Sequence, residues 1–202
     1  MNRIFIVTAL AVALLGLAGG AAADPIVFVA TLSGPNEEPP NASPGTGRAV
    51  VTLDLDTDFL RIEASFEGLT AGTTVAHIHA PTAEAFAGTV GVAVQPGTLT
   101  GFPSGVTSGV YDNTLDLGDS ANYTAGFLNN FGGGTAEGAA AALAGYLASG
   151  QAYFNIHTSD FPAGEIRGFF SPVPEPSSLL LGAVGASGLV VLLARRRRAR
   201  SA

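Results

Sequence analysis

The chain has 202 residues, a formal net charge of −7, nine basic residues that are all arginine, and no cysteine. Without cysteine there is no disulfide and no cysteine nucleophile. The acidic balance excludes a nucleic-acid partner, because a phosphate backbone would be repelled over most of the surface.

The first 23 residues read as an export signal. Met1-Asn2-Arg3 is a short basic start, residues 4–17 are an uncharged apolar run, and Gly19-Gly20-Ala21-Ala22-Ala23 supplies the small residues a signal peptidase needs. Ala21-x-Ala23 ahead of Asp24 is the expected cleavage point. Residues 24–172 then form one exported domain of 149 residues, a size that suits a single core. That domain keeps three arginines, Arg48, Arg61 and Arg167, against fifteen acidic residues, for a net charge of −12. Such acidity suits solubility, surface display and divalent cations.

The domain reads mostly as strands. Residues 26–33 set Phe28, Ala30 and Leu32 against more polar neighbours, and residues 49–55 are rich in β-formers. In residues 59–68, Leu60, Ile62, Ala64 and Phe66 face one way while Arg61, Glu63, Ser65 and Glu67 face the other. This period of two marks a half-buried strand. Residues 73–79, 89–94, 151–158 and 165–170 are further strands. Clusters of Gly, Pro, Asn and Asp separate them, and residues 95–109 read as a long loop. Residues 135–149 break the pattern. There Ala139, Ala142, Leu143, Tyr146 and Leu147 recur at helical spacing, Thr135 can cap the start, and Gly150 can end the turn. A second helical stretch falls in residues 120–129, with Gly132-Gly133-Gly134 as a hinge. The expected fold is therefore all-β, an antiparallel sandwich or barrel with a helical insertion at 120–149.

All three histidines of the chain fall in two strand motifs. The first is Val75-Ala76-His77-Ile78-His79-Ala80-Pro81, the second Tyr153-Phe154-Asn155-Ile156-His157-Thr158. Residues i and i+2 of a strand share a face. His77 therefore projects with His79, and Asn155 with His157. If the two strands are neighbours, three imidazoles and an amide converge, with Ile78, Phe154 and Ile156 packed behind them. Imidazole is a preferred ligand of Cu and Zn, so one reading is a transition-metal site with His77, His79 and His157 as ligands. The other reading is a hydrogen-bonded polar cluster that fixes strand ends. Three histidines are too few for a dinuclear site built from histidine.

The sequence resembles the CHRD domain family. The resemblance rests on residues 28–40 (FVATLSGPNEEPP), on Gly47, on Gly68-Leu69, on His77-Ile78-His79-Ala80-Pro81, on Tyr153-Phe154-Asn155-Ile156-His157-Thr158, and on Pro162-Ala163-Gly164-Glu165-Ile166-Arg167-Gly168. It implies an immunoglobulin-like β-sandwich. No general activity is established for the family, so the resemblance bears on fold more than on chemistry.

Other charged motifs carry less. Glu165 and Arg167 share a strand face, which reads as a pair tying neighbouring strands, or as a supporting role for Glu165, with Asn155, behind the histidines. Glu37-Glu38 reads as a solvated turn whose carboxylates point apart. Asp54-x-Asp56-x-Asp58 lacks the glycine and the glutamate of a calcium loop. No nucleophile elbow and no dinucleotide fingerprint appears.

The last thirty residues form a sorting tail. Val173-Pro174-Glu175-Pro176-Ser177-Ser178 leads into 16 uncharged residues, 179–194, and then Arg195-Arg196-Arg197-Arg198-Ala199-Arg200. Sixteen residues are short for a hydrocarbon core ~30 Å thick, but flanking arginine stems can extend the span by snorkelling. The basic flank holds its end in the cytoplasm. The tail resembles the PEP-CTERM sorting signal of Gram-negative bacteria. That resemblance implies cleavage by an exosortase at Pro174-Glu175-Pro176 and release to the cell surface or extracellular matrix. The alternative is a permanent membrane anchor through 179–194.

Two functional readings follow. The first is a non-enzymatic surface or matrix module that contacts exopolysaccharide or surface proteins. The second is a Cu- or Zn-binding domain, or a mononuclear metalloenzyme, built on the three histidines.

Overall fold

The period-two patterns settle first into a meander of β1 (Ile26–Ser33), β2 (Thr46–Asp54) and β3 (Phe59–Glu67). β1 and β2 pair antiparallel from Ile26↔Leu53 to Ser33↔Thr46, and β2 and β3 pair over the whole length of β3. Phe28, Ala30, Leu32, Ala49, Val51, Leu53, Leu60, Ile62, Ala64 and Phe66 are buried on one face, as the alternation requires. The computed structural model describes residues 25–174. The expected signal peptide with Ala21 and Ala23, and Glu175, Pro176 and the apolar stretch 179–194, lie outside these residues.

The chain continues through β4 (Thr73–His79), β5 (Val92–Val94), β6 (Gly109–Asp116), α1 (Ala125–Asn130), α2 (Ala136–Ala148), β7 (Tyr153–Thr158), β8 (Ile166–Phe169) and β9 (Ser171–Pro172). One antiparallel sheet runs β5-β4-β7-β8-β1-β2-β3-β6, with β9 paired to β1. The seam lies between β8 and β1, which share only the pair Ser33↔Arg167. A Cβ on Gly168 would stand 2.2 Å from the Thr31 carbonyl oxygen. Only glycine lets β8 press against β1 there. The sheet curls across this seam so that its two halves enclose one core. Phe102 bridges them, with its ring centroid 5.5 Å from Phe66, 5.3 Å from Tyr111 and 6.2 Å from Phe154. The all-β antiparallel expectation therefore stands, as one curled sheet.

The helical insertion closes one side of the core. Thr135 accepts a hydrogen bond from the Gly138 amide as the cap of α2, and Thr124 caps α1 through the Phe127 amide. Ala139, Ala140, Leu143 and Leu147 of α2 join the buried cluster. Gly150 takes φ +72° just past the helix, the left-handed turn expected of a stop signal.

Strand β6 departs from expectation. Only its first residue, Gly109, belongs to the loop expected at 95–109, the sequence pattern marks no strand over 110–116, and only Tyr111 and Leu115 are buried in it. The strand forms because β3 offers a complete partner edge, with pairs from Phe59↔Asp116 to Phe66↔Gly109.

Ile62→Ala, at a fully buried position, is expected to cost ~2–5 kcal/mol in urea denaturation. Val110→Ala on β6, 78% exposed, is expected to stay within about 0.5 kcal/mol of wild type.

Candidate metal centre

β4 and β7 lie side by side and antiparallel, with Val75↔His157, His77↔Asn155 and His79↔Tyr153 in register. Alternation then puts Val75, His77 and His79 on the same face as Tyr153, Asn155 and His157. Ala76, Ile78, Phe154 and Ile156 point the other way, into the core. The sequence expectation of one histidine face is met. One ring nitrogen from each of His77, His79 and His157 lies within 4.8 Å of the others.

This face does not look out into solvent. His77 and His79 are each only 8% exposed, and Asn155 is buried. Loops fold over the sheet and roof it. The roof reaches the rings through backbone carbonyls. His77 Nε2 lies 2.7 Å from the Gly97 oxygen, His79 Nδ1 2.8 Å from the Val90 oxygen, and His157 Nδ1 3.0 Å from the Pro162 oxygen. A carbonyl only accepts, so each of these nitrogens is the N–H donor of its ring. The opposite nitrogen of each neutral ring then carries a lone pair. His77 Nδ1 and His157 Nε2 stand 3.3 Å apart. His79 Nε2 is buried and has no hydrogen-bond partner among the described residues.

Burial works against a charge on His79 and His157. Burial pushes the His79 pKa down to about 4, against the Val90 hydrogen bond, and the nearby His77, His157 and Arg167 charges push the same way. Burial also lowers His157, and the Pro162 hydrogen bond opposes that. Tyr153 stacks flat on His79, centroids 4.6 Å apart, and the Arg167 guanidinium lies 5.0 Å over the Tyr153 ring.

Arg167 is the clamp of the roof. It is buried, donates Nε–H to the Asn36 carbonyl and Nη1–H to the Gly88 carbonyl at 3.0 Å. Its guanidinium lies 3.9 Å from Glu37 and 3.7 Å from Glu38. Glu37 is itself buried, which corrects the reading of Glu37-Glu38 as a wholly solvated turn; only Glu38 is exposed. Burial pushes the Glu37 pKa up to about 7, with the Arg167 charge holding it back. Glu37 Oε1 and Asn155 Oδ1 are both buried without a hydrogen-bond partner among the described residues, and both lie 2.7 Å from the point where a Cβ on Gly164 would stand. Gly164 has φ +132°, so this position takes glycine on both counts.

Glu165 sits elsewhere. Its carboxylate accepts from the Ser43 hydroxyl at 2.6 Å, the Thr70 amide at 2.7 Å and the Thr158 hydroxyl, and no hydrogen bond or ion pair joins it to Arg167 or to a histidine. Burial acts to raise its pKa, but these three donors outweigh it and hold the group low. Asp54 accepts from the Asp56 and Thr57 amides, which makes it a turn former between β2 and β3. Sequence reasoning missed the carbonyls of Val90, Gly97 and Pro162, which no side-chain motif can announce. It also missed the Arg167–Glu37 clamp, whose only trace was a buried-strand motif containing an arginine.

Glu37, His77, His79, Asn155, His157, Gly164 and Arg167 come from four separate segments and meet on one side of the sheet. Residues 28–170 match the model of the CHRD domain family. The chain belongs to that family. Residues 172–198 match the PEP-CTERM protein-sorting motif. No curated protein and no solved structure matches the chain. The sorting motif directly after the CHRD domain marks an exported protein of a Gram-negative type, handled by an exosortase. Among the described residues no helix is long and apolar enough to cross a membrane.

The raised pKa of Glu37 in the CHRD domain has a defined sign. A group with a folded pKa near 7 and an ordinary one of 4.5 contributes stability that is complete below about 4.5 and is lost as pH rises to about 7. Wild type compared with Glu37→Gln in urea denaturation should therefore lose stability relative to the variant between pH 4.5 and 7. A difference that stays flat across that window would refute the assignment.

Proposed function

We propose that this protein is an exported module of the cell surface or extracellular matrix whose folded domain binds one transition-metal ion, Cu or Zn, through His77, His79 and His157. One observation carries the reading. Each ring gives its N–H to a backbone carbonyl, the remaining nitrogens of His77 and His157 stand 3.3 Å apart, and a ring nitrogen of His79 lies within 4.8 Å of a nitrogen of each. Metal-ligating histidines are oriented in this way, the second nitrogen fixing tautomer and ring. A purely hydrogen-bonded cluster would supply a donor for each lone pair, and His79 Nε2 has none among the described residues. Binding is the role that this geometry supports.

Delivery follows the sorting tail. The signal peptide would leave after Ala23 by signal peptidase, and the tail would be held in the inner membrane by 179–194 until an exosortase cuts near Pro174-Glu175-Pro176. β9 and Val173 pair with the start of β1, so both ends of the domain leave from one end of the sheet. At the surface, exopolysaccharide or other surface proteins are the expected neighbours.

Elemental analysis of the exported protein should find about one Cu or Zn per chain, and titration of His79→Ala should show uptake lost at least tenfold. Equal, negligible uptake by both proteins would leave only the structural cluster. Intact mass of the exported protein should correspond to a start at Asp24 and an end near Pro174-Glu175-Pro176. Retention of the whole tail on every exported molecule would mean a permanent anchor instead.

A further inference from the structure

We infer that the ion this site selects is cuprous copper, held by three nitrogens alone: His77 Nδ1, His79 Nε2 and His157 Nε2. The inference rests on the metal-binding reading above and adds the identity of the ion and of the ligand atoms.

The ligand atoms follow by elimination. His77 Nε2, His79 Nδ1 and His157 Nδ1 are committed as donors to the carbonyls of Gly97, Val90 and Pro162. The three nitrogens left bear lone pairs. Bonds of ~2.0–2.1 Å in a trigonal or tetrahedral set place nitrogens roughly 3.3–3.6 Å apart. His77 Nδ1 and His157 Nε2 are already at 3.3 Å. The His79 ring stands T-shaped against His77 at 5.4 Å between centroids, and in the proposed site its Nε2 is the third ligand.

The choice of ion follows from what surrounds the set. The group of candidate ligands holds three imidazoles and no carboxylate. Glu165 is taken by Ser43, Thr70 and Thr158, and Glu37 and Glu38 face Arg167. There is no cysteine in the chain. Zinc on three histidines is completed to four-coordination by a water, and the described residues offer no free side chain for that place, so under the roof zinc needs an extra water where three-coordinate Cu(I) needs none. Charge acts in the same direction. The cost of burying an ion rises with the square of its charge, so a divalent ion loses about four times the hydration energy of a monovalent one. Here no ligand charge offsets that loss, and the Arg167 cation lies over the Tyr153 ring on which His79 stacks. A closed-shell monovalent ion that accepts three-coordination satisfies both conditions, and imidazole suits copper.

The test uses the exported protein. Under anaerobic ascorbate, competition with bicinchoninate should report one Cu(I) per chain. Competition with a chromogenic chelator should report Zn(II) binding at least about tenfold weaker. X-ray absorption of the copper form should show three nitrogen scatterers. Zinc binding as tight as Cu(I) or tighter would overturn the inference and leave the metal-binding reading standing. Failure to bind either ion would overturn both. Long-range nitrogen–proton NMR of the metal-free protein gives a check that needs no variant to fold. His77 should carry its proton on Nε2, and His79 and His157 on Nδ1. Any other tautomer would overturn the ligand-atom assignment.

Discussion

The register of β4 against β7 is the constraint on which the site depends. His77 opposes Asn155, and His79 opposes Tyr153. A slip of one residue would turn every histidine into the core and every isoleucine onto the polar face. The core forbids that slip, because Ile78, Phe154 and Ile156 are fully buried between the two halves of the curled sheet. The hydrophobic face thus pins the polar face. Packing energy on one side of two strands is what holds three imidazoles together on the other.

A polar face is normally left to water. Here it is roofed, and burial of polar groups costs free energy unless they are paired. The roof supplies pairing in a particular form. It brings backbone carbonyls to the histidines and to Arg167, and carboxylates to Arg167. Carbonyls accept and do not donate. The face is therefore rich in acceptors, and the three buried side-chain atoms without partners among the described residues, Glu37 Oε1, His79 Nε2 and Asn155 Oδ1, are the consequence. An arrangement of this sign attracts a cation or a proton.

Charge in this domain is divided by location. The acidic residues that give the domain its net charge of −12 are mostly on exposed turns and edges, where Arg61 pairs with Asp112 and Glu63 at the surface. Such pairs contribute little to stability. Arg167, Glu37 and Glu165 are the buried exceptions, and each ties two or more loops to the sheet. The same residue types thus keep the domain soluble on one surface and hold the roof on the other.

The sequence by itself determined the strands whose alternation is strong. In β1 and β3 the burial of every second residue is written in the side chains, and in β4 and β7 the alternation of residue types gives the shared face of His77 and His79. Helix α2 was legible from alanine periodicity and the Thr135 cap. The helix caps and strand faces are local, because a period of two or of 3.6 needs only neighbours along the chain. What only the tertiary structure decided is non-local. β6 is a strand because β3 offers an edge, and its own pattern is weak. Glu37 is buried because Arg167 and the loop at Gly164 close over it. The tautomers of the histidines are set by carbonyls of Val90, Gly97 and Pro162. Every residue carries the same carbonyl, so which one reaches a ring is a property of the folded backbone and of no side chain.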